Sequence, residues 1–457
     1  MTSENLTATG YAVTIGRQSF NNVLGGGENS DTASALDALR GVTGTEDFFN
    51  SIDPLQAEDL RKALALITPG VNTNGGTPTR GGGAGIVGGQ IGSRLAAIRA
   101  GGSETRVASA TNFSAETHAL QEMDTAPNPF MDRMTSAFTT ALATPSVAQA
   151  PRPESDENTL GIALPSGNTD GDWGILIASD TVFGDVDSQN GGEDGYWTQA
   201  MTLGLDRKLG PSTVAGAAVS YLWSQTSPVA GGRVESEGAA LSVYGTHKTD
   251  IGVWLDAFAA VSLSDVDIDR RASIGAIALR ANGDTKSQAL VLGATLGIDF
   301  ELEGGSHDGT SRDGLIVTPL ASFEFSETQT DGYSETGDAA LAATVRDLTQ
   351  TSLRSALGLQ LAKEYELSDS SVRPFLRAVW THEFKDDATS ITSSFVSAPT
   401  NLMTSQGTNV AQDWVRLGAG AILSRHDGWR FEVEAETDLG RSDASRQRLS
   451  VAAKLSL

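Results

Sequence analysis

The strictest constraint on this chain is the two-residue periodicity of its last thirty positions, 428–457. Phe431, Val433, Ala435, Thr437 and Leu439 recur on one phase, and Arg430, Glu432, Glu434, Glu436 and Asp438 on the other. Side chains of a strand alternate between its two faces, so this stretch predicts a strand with one apolar and one charged face. After residues 440–447 the pattern resumes. Leu449, Val451, Ala453, Leu455 and Leu457 share a face, and Ser450, Ala452, Lys454 and Ser456 share the other. A soluble sandwich also alternates, but its polar face meets bulk water and its strands are usually shorter. A membrane barrel needs about 9–11 residues per strand, apolar towards lipid and polar towards the lumen.

From Trp173 onwards twelve such patterns follow, near 173–183, 195–209, 212–225, 234–246, 250–265, 286–302, 314–327, 351–366, 370–384, 412–425, 428–439 and 446–457. The sixth sets Leu290, Leu292, Ala294, Leu296, Ile298 and Phe300 against Val291, Gly293, Thr295, Gly297 and Asp299. The tenth sets Val415, Leu417, Ala419, Ala421 and Leu423 against Arg416, Gly418, Gly420 and Ser424. The connections alternate in length. Residues 185–194, 266–285, 328–350 and 385–411 are long and 226–233 is intermediate; 210–211, 247–249, 368–369 and 426–427 are short, and 303–313 breaks the rule. Outer-membrane barrels have short periplasmic turns and long outer loops, whereas sandwich loops have no reason to alternate in this way. The reading is therefore all-β: a twelve-stranded antiparallel transmembrane barrel whose first strand runs outward, leaving Leu457 in the periplasm. Trp173, Trp197, Trp223, Trp380, Trp414 and Trp429 fall near strand ends, where interfacial girdles sit.

Composition agrees. A formal charge of −25 argues against a nucleic-acid partner, whose affinity comes from Lys and Arg on phosphates. Hydrophobic residues make up only 39%, and no run approaches the roughly 18 apolar residues of a membrane helix. With no cysteine, disulfide frameworks and thiolate metal sites are excluded.

The region before the barrel reads as partly helical and partly disordered. The start, Met1 to Thr7, lacks the basic and apolar segments of a signal peptide, which suits a piece of a longer exported precursor. A helix is expected over 33–39. Another is expected from Asp53, with Asp53 as N-cap, Pro54 in the first turn and Leu55, Leu60, Leu64 and Ile67 as its apolar stripe. Residues 70–85 form a linker. Gly83, Gly85 and Gly88 match the spacing of a dinucleotide fingerprint, but no buried strand precedes them, so the match is set aside. A helix then follows over 90–99 and a second candidate over 129–142, with linker at 144–170.

Ordinary catalytic chemistry is not legible. The five histidines are scattered, His382-Glu383 lacks a second His four residues on, and no Gly-x-Ser-x-Gly elbow occurs. No catalytic, cofactor-binding or metal site is expected, and no enzyme activity. What stands out is charge destined for a lumen: Glu432, Glu434, Glu436 and Asp438 along one wall, Glu383 nearby, and Arg354, Arg377, Arg416, Arg430 and Lys454 available to neutralise them. Specific pairing and simple solvation are both compatible with that composition. A barrel of twelve strands leaves an aqueous passage, since about eight already suffice for side chains to fill the interior. A plug should be narrow, rich in small residues and basic. Residues 85–99 fit, with Arg94 and Arg99 and no acid; 129–142 is the bulkier alternative.

With the strands placed, the C-terminal region resembles the translocator domain of autotransporters, the type V secretion family. The likeness rests on 196–210 (YWTQAMTLGLDRKLG), on 331–335 before 352–358, on 373–387 (RPFLRAVWTHEFKDD), on 414–420 and on 438–441 before the last strand. It extends upstream to 90–99 (QIGSRLAAIR) and to the Ala/Leu-rich stretch 31–67. The resemblance implies a division into a passenger tail and Gly-rich linker (1–84), a helix and linker leading into the barrel (85–170) and the translocator (171–457). It implies a helix through the lumen, residence in a bacterial outer membrane with the passenger side at the cell surface, and three partners: outer-membrane lipid, the outer-membrane barrel assembly machinery and the chain's own passenger. Such chains usually end in Phe or Trp, and this one ends in Leu457. A passive, porin-like diffusion channel and a soluble all-β binding protein are the alternatives. The upstream linker and helix favour the translocator over the porin.

Overall fold

The computed structural model describes residues 2–7, 10–15, 17–24, 30–70, 82–100, 173–188, 191–302, 314–425 and 428–456. Twelve long antiparallel strands form the barrel: β1 (Trp173–Asp187), β2 (Glu193–Gly210), β3 (Thr213–Ser227), β4 (Gly232–Lys248), β5 (Val253–Ile274), β6 (Ile277–Ile298), β7 (Leu315–Thr330), β8 (Leu348–Lys363), β9 (Ser370–Glu383), β10 (Asp413–Arg425), β11 (Trp429–Leu439) and β12 (Gln447–Ser456). Each pairs with the next, and β12 closes on β1 in a register that sets Val451 opposite Ser179. Closure matters because an open edge cannot be satisfied in hydrocarbon. Twelve strand patterns in the sequence thus become twelve strands.

The barrel is inside out relative to a soluble protein. Leu203, Leu205, Leu241, Leu292, Leu359, Leu417, Val433 and Val451 are exposed on its outer wall. Asp180, Asp206, Glu434 and Arg448 are buried on the inner one. Among the described residues no helix is long and apolar enough to cross a membrane.

Polarity inverts part-way along β5. Its outer face reads Leu255, Ala257, Ala259, Val261, Leu263, then Asp265, Asp267 and Asp269; its inner face turns from Asp256 and Ser262 to Val266, Ile268, Ala272 and Ile274. The apolar outer run covers roughly 20–25 Å of height at a tilt of about 40°, the thickness of the lipid band. Above it the hairpin obeys soluble rules, charged outside and apolar inside. This corrects the long loop expected over 266–285: β5 and β6 continue to Ile274 and Ile277 and meet at a two-residue turn, where Gly275 supplies a φ of +60°.

The inner face of the projecting hairpin is covered twice. Four short strands from the neighbouring loops (Tyr333–Ser334, Ala343–Val345, Ser390–Phe395 and Met403–Gln406) form a small sheet, so 328–350 and 385–411 are structured rather than simple loops. Tyr333, Val345 and Ile391 of this sheet bury Val234, Val266 and Ile268. Buried Arg270 of β5 ties the sheet down, with Nε 2.8 Å from Glu335 and Nη2 donating to the Leu341 carbonyl at 2.6 Å.

The second cover is helical: α1 (Phe20–Leu24), α2 (Ser30–Ala38), α3 (Glu46–Ile52) and α4 (Ala57–Ile67). Their apolar faces, including Leu36, Phe48, Ile52, Leu60 and Leu64, share one core with Ile274, Leu279 and Leu341. Asp53 does not start a helix as the sequence suggested. It is the C-cap of α3, and α4 begins at Ala57 with Gln56 as N-cap. The Asp53 carboxylate is held instead by Arg40 at 2.7 Å and Arg17 at 3.1 Å. A strand pair, Thr2–Thr7 with Gly10–Ile15, precedes these helices and was not foreseen.

Candidate lumenal site

A fifth helix, α5 (Gly82–Ala100), lies inside the barrel. Val87, Ile91 and Leu95, spaced by four, are fully buried and pack with Val182, Tyr196, Ala200, Leu222 and Ala260 of the wall. Polar contacts fix its direction. The Gln90 amide donates to the Ala200 carbonyl at 3.0 Å and its carbonyl accepts from Thr202. One turn later Arg94 Nε donates to Asp206 at 2.7 Å, and Asp206 also accepts from Tyr244 at 3.2 Å. Ascending from 90 to 94 in α5 thus means moving from 200 to 206 in β2, towards the short-turn end. The beginning of α5 faces the end that carries the long loops and α1–α4.

The other side of α5 is small: Gly85, Gly88, Gly89, Gly92 and Ala96 border a lumenal cavity of about 530 Å³. A Cβ on Gly88 would lie 2.6 Å from the Phe258 ring, so no larger residue seats there without displacing it.

The acidic wall of β11 is neutralised by arginines. Glu434 accepts from Arg377 and lies 3.3 Å from Arg448, and it also accepts from Ser93 of α5 at 3.2 Å. Glu436 lies 2.9 Å from Arg377 and 3.2 Å from Arg448. Asp438 accepts from Arg416 at 2.7 Å. Carboxylates two residues apart on one strand face lie about 7 Å apart, and burial without cations between them is costly. Specific pairing is therefore what the structure displays. Arg354 bonds Glu383 at 3.0 Å near the loop-side rim, apart from the acidic wall. Glu432 borders the cavity, Arg430 donates to Ser424 at 3.0 Å, and Lys454 sits half-buried on the same phase of β12 as Ser450.

On β12, Leu449 and Val451 are exposed outward, while Ala453 and Leu455 are half-buried. The side chains of Arg99 and Leu457, and the whole of 129–142, lie outside the described residues. Trp414 departs from the girdle expected of it: it is buried inside, 4.9 Å from the Arg441 guanidinium. Three participants escaped the sequence reading, namely Asp206, Asp180 and Arg448, the last two joined at 2.7 Å. Asp206 and Arg448 sit on the polar phase of alternating strands, so the same periodicity test pointed to them; Asp180 shares its face with Leu176, Ala178 and Val182, and periodicity does not single it out. Among the described residues no cluster of His, Asp and Glu is spaced to hold a metal ion.

The family model of the autotransporter beta-domain matches residues 152–436, more than half of the chain. The translocator domain of the autotransporter NalP from Neisseria meningitidis superposes with a TM-score of 0.50 at 16% identity, covering 72% of this chain and 95% of that one. The beta domain of the Bordetella autotransporter BrkA gives 0.48 at 18% identity, over 63% and 100%. The esterase EstA of Pseudomonas aeruginosa is 28% identical over 155 residues, which is 34% of this chain but only 22% of EstA. This chain therefore belongs to the autotransporter family, and its barrel is an outer-membrane translocator domain.

Proposed function

We propose that this autotransporter barrel exports the part of the chain that lies ahead of α5 and then holds it at the cell surface. The observation that carries the reading is the direction of α5. Its upstream end meets the side where α1–α4 cap the projecting hairpin. Its downstream end points towards the short turns, from which β1 starts. A chain arranged this way passes through the lumen once, with the passenger outside.

The division is 1–84 as passenger tail and Gly-rich linker, 85–170 as lumenal helix and linker, and 171–457 as translocator, with the first boundary falling within the first turn of α5, which starts at Gly82. Arg94 and Arg99 belong to the plug. The outward face of β12 (Leu449, Val451, Ala453 and Leu455), whose phase Leu457 continues in the sequence, is the surface offered to lipid and to the barrel assembly machinery. No catalytic role is assigned to the barrel; the esterase activity named for EstA belongs to that protein. The test is a peptide epitope fused ahead of Met1 in the exported precursor. Antibody reaching it on intact cells supports export, and an epitope confined to the periplasm refutes it.

A diffusion channel is the second reading, favoured by the cavity beside α5. Removing residues 85–99 while keeping 171–457 is expected to raise ion conductance in a planar bilayer several-fold. Unchanged conductance means that α5 does not limit flow.

A further inference from the structure

We propose that the apolar top of the β5–β6 hairpin, together with the small loop sheet, is a docking platform for the helical cap α1–α4. This contact by itself keeps the cap on the barrel when the chain between them is cut. The inference deepens the surface-display reading above, and rests on it for the side of the membrane that the cap occupies.

The platform stands clear of lipid. It lies beyond the point where β5 turns its apolar phase inward, and Asp265 and Asp267 on the other face are exposed. Its apolar residues are Ile274 and Leu279 beside the hairpin turn and Leu341, Phe395 and Met403 from the loops, all buried in one core with the cap. Above the lipid band the alternative to a cover is water, where a contiguous apolar surface is unfavourable. The platform is held together by bonds that use no residue of the cap. Arg270 joins Glu335 and the Leu341 carbonyl. The Arg280 amide donates to the Asp338 carboxylate at 2.7 Å, and the Asp338 amide donates back to the Arg280 carbonyl at 2.9 Å. The Val396 amide donates to the Ala342 carbonyl at 3.0 Å.

The cap is built as a separate piece. Its charges pair within it: Arg17 and Arg40 meet Asp53, and Lys62 meets Glu58. Arg40 also lies 4.3 Å over the Phe20 ring and 4.6 Å over the Phe49 ring. Three of its helices reach three parts of the platform: α2 the strand Met403–Gln406, α3 strand β6 and α4 strand β5. Leu36, Ile52 and Leu64, one from each, are buried in the common core. Ser405 Oγ donates to the Pro69 carbonyl at 2.6 Å and ties the end of the cap to the loop sheet. Helices as short as these, 11 residues in α4, are marginal alone in water, so cap and platform stabilise each other. The contacts just given join residues 17–70 to the barrel. A cut within 71–81 leaves every one of them in place.

The test cuts the chain and asks what stays. A recognition sequence for a site-specific protease is placed within 71–81 of the full chain, purified in mild detergent. After the cut, seen on a denaturing gel, the two halves are run together by size exclusion. They are expected to co-elute, and to do so at about 1 M salt, where charge attraction reaches only about 3 Å. Ile274→Asp with Leu279→Asp places two carboxylates in the contact from the barrel side and leaves the cap sequence unchanged. That pair is expected to shorten the lifetime of the cut complex at least about tenfold, since a buried unpaired charge is costly. Asp267→Asn, on the outward face, is expected to leave the lifetime unchanged. Heat-modifiable migration checks the barrel in each variant. Unsubstituted halves that separate on cutting, or a lifetime that the paired substitution does not shorten, overturn the proposal. The N-terminal epitope separates the two readings. On intact cells the cut cap is expected to stay with the cells. An epitope confined to the periplasm refutes export, while the purified halves decide the docking independently.

Discussion

Replacing Val261 of β5 by Arg tests the polarity inversion. Val261 points outward at 51% exposure, within the apolar run that ends at Leu263. A cation near the lipid midplane of a barrel costs about 2–4 kcal/mol, falling towards zero at the interface. Asp267 lies on the same face of the same strand six residues on, roughly 20 Å along it. Above the band Asp267→Arg meets water and should stay within about 0.5 kcal/mol, as surface changes do. The inner face should behave in the opposite way. Ser262 points into a polar lumen, and Ser262→Ala should cost about 1 kcal/mol or less. Ile268 is 2% exposed among Val234, Tyr333 and Val345, and Ile268→Arg buries an unpaired cation at about 3–5 kcal/mol. The assay is urea unfolding of the full chain refolded into lipid vesicles. Costs should fall on the outer face at 261 and on the inner face at 268. Equal costs for Val261→Arg and Asp267→Arg would refute the placement of the lipid boundary.

Three further outcomes follow from particular contacts. Glu335→Gln leaves the buried Arg270 cation uncompensated and should destabilise the loop sheet by about 3–5 kcal/mol, read as faster protease cleavage within 331–345 on intact cells. Gly88→Val places side-chain atoms where the Phe258 ring lies, so α5 should be displaced and bilayer conductance should rise, while Gly85→Ala, with nothing within 4 Å, should change neither. In the 440–446 connection, burial raises the Asp443 carboxyl, but the Arg441 hydrogen bond and charge more than offset it and hold it below its usual 3.8. A depressed folded pKa contributes stability above the unfolded value and loses it as pH falls through the folded one, so this connection should become protease-sensitive only below about pH 3.8.

The barrel was legible because two environments, lipid and lumen, impose a two-residue period that survives without alignment. Legibility failed where the environments change. At Asp265 the apolar phase switches faces, so a continuous strand reads as a strand followed by a polar loop. The small loop sheet was hidden for the same reason: strands of two to six residues carry too few alternations to be seen. In the cap, Asp53-Pro54 looked like a helix start, yet Arg40 and Arg17 take the carboxylate in tertiary contacts that local sequence does not display. The acidic wall of β11 was visible as four alternating acids, but its neutralisation draws on Arg377, Arg416 and Arg448 from three other strands. Partner choice across a barrel depends on register, which only the closed structure fixes. Arg94 was recognised as basic and narrow-helical; that it meets Asp206 required the depth of α5.

The central claim is that the chain crosses the barrel once, with α4 and the short turns on opposite sides of the membrane. The cysteine-free background allows it to be measured with one impermeant maleimide. Asp59 is exposed on α4, and Asp369 is exposed in the connection between β8 and β9. On intact cells Asp59→Cys should be labelled and Asp369→Cys should not; after permeabilisation both should be. Labelling of Asp369→Cys on intact cells, or of Asp59→Cys only after permeabilisation, contradicts the account.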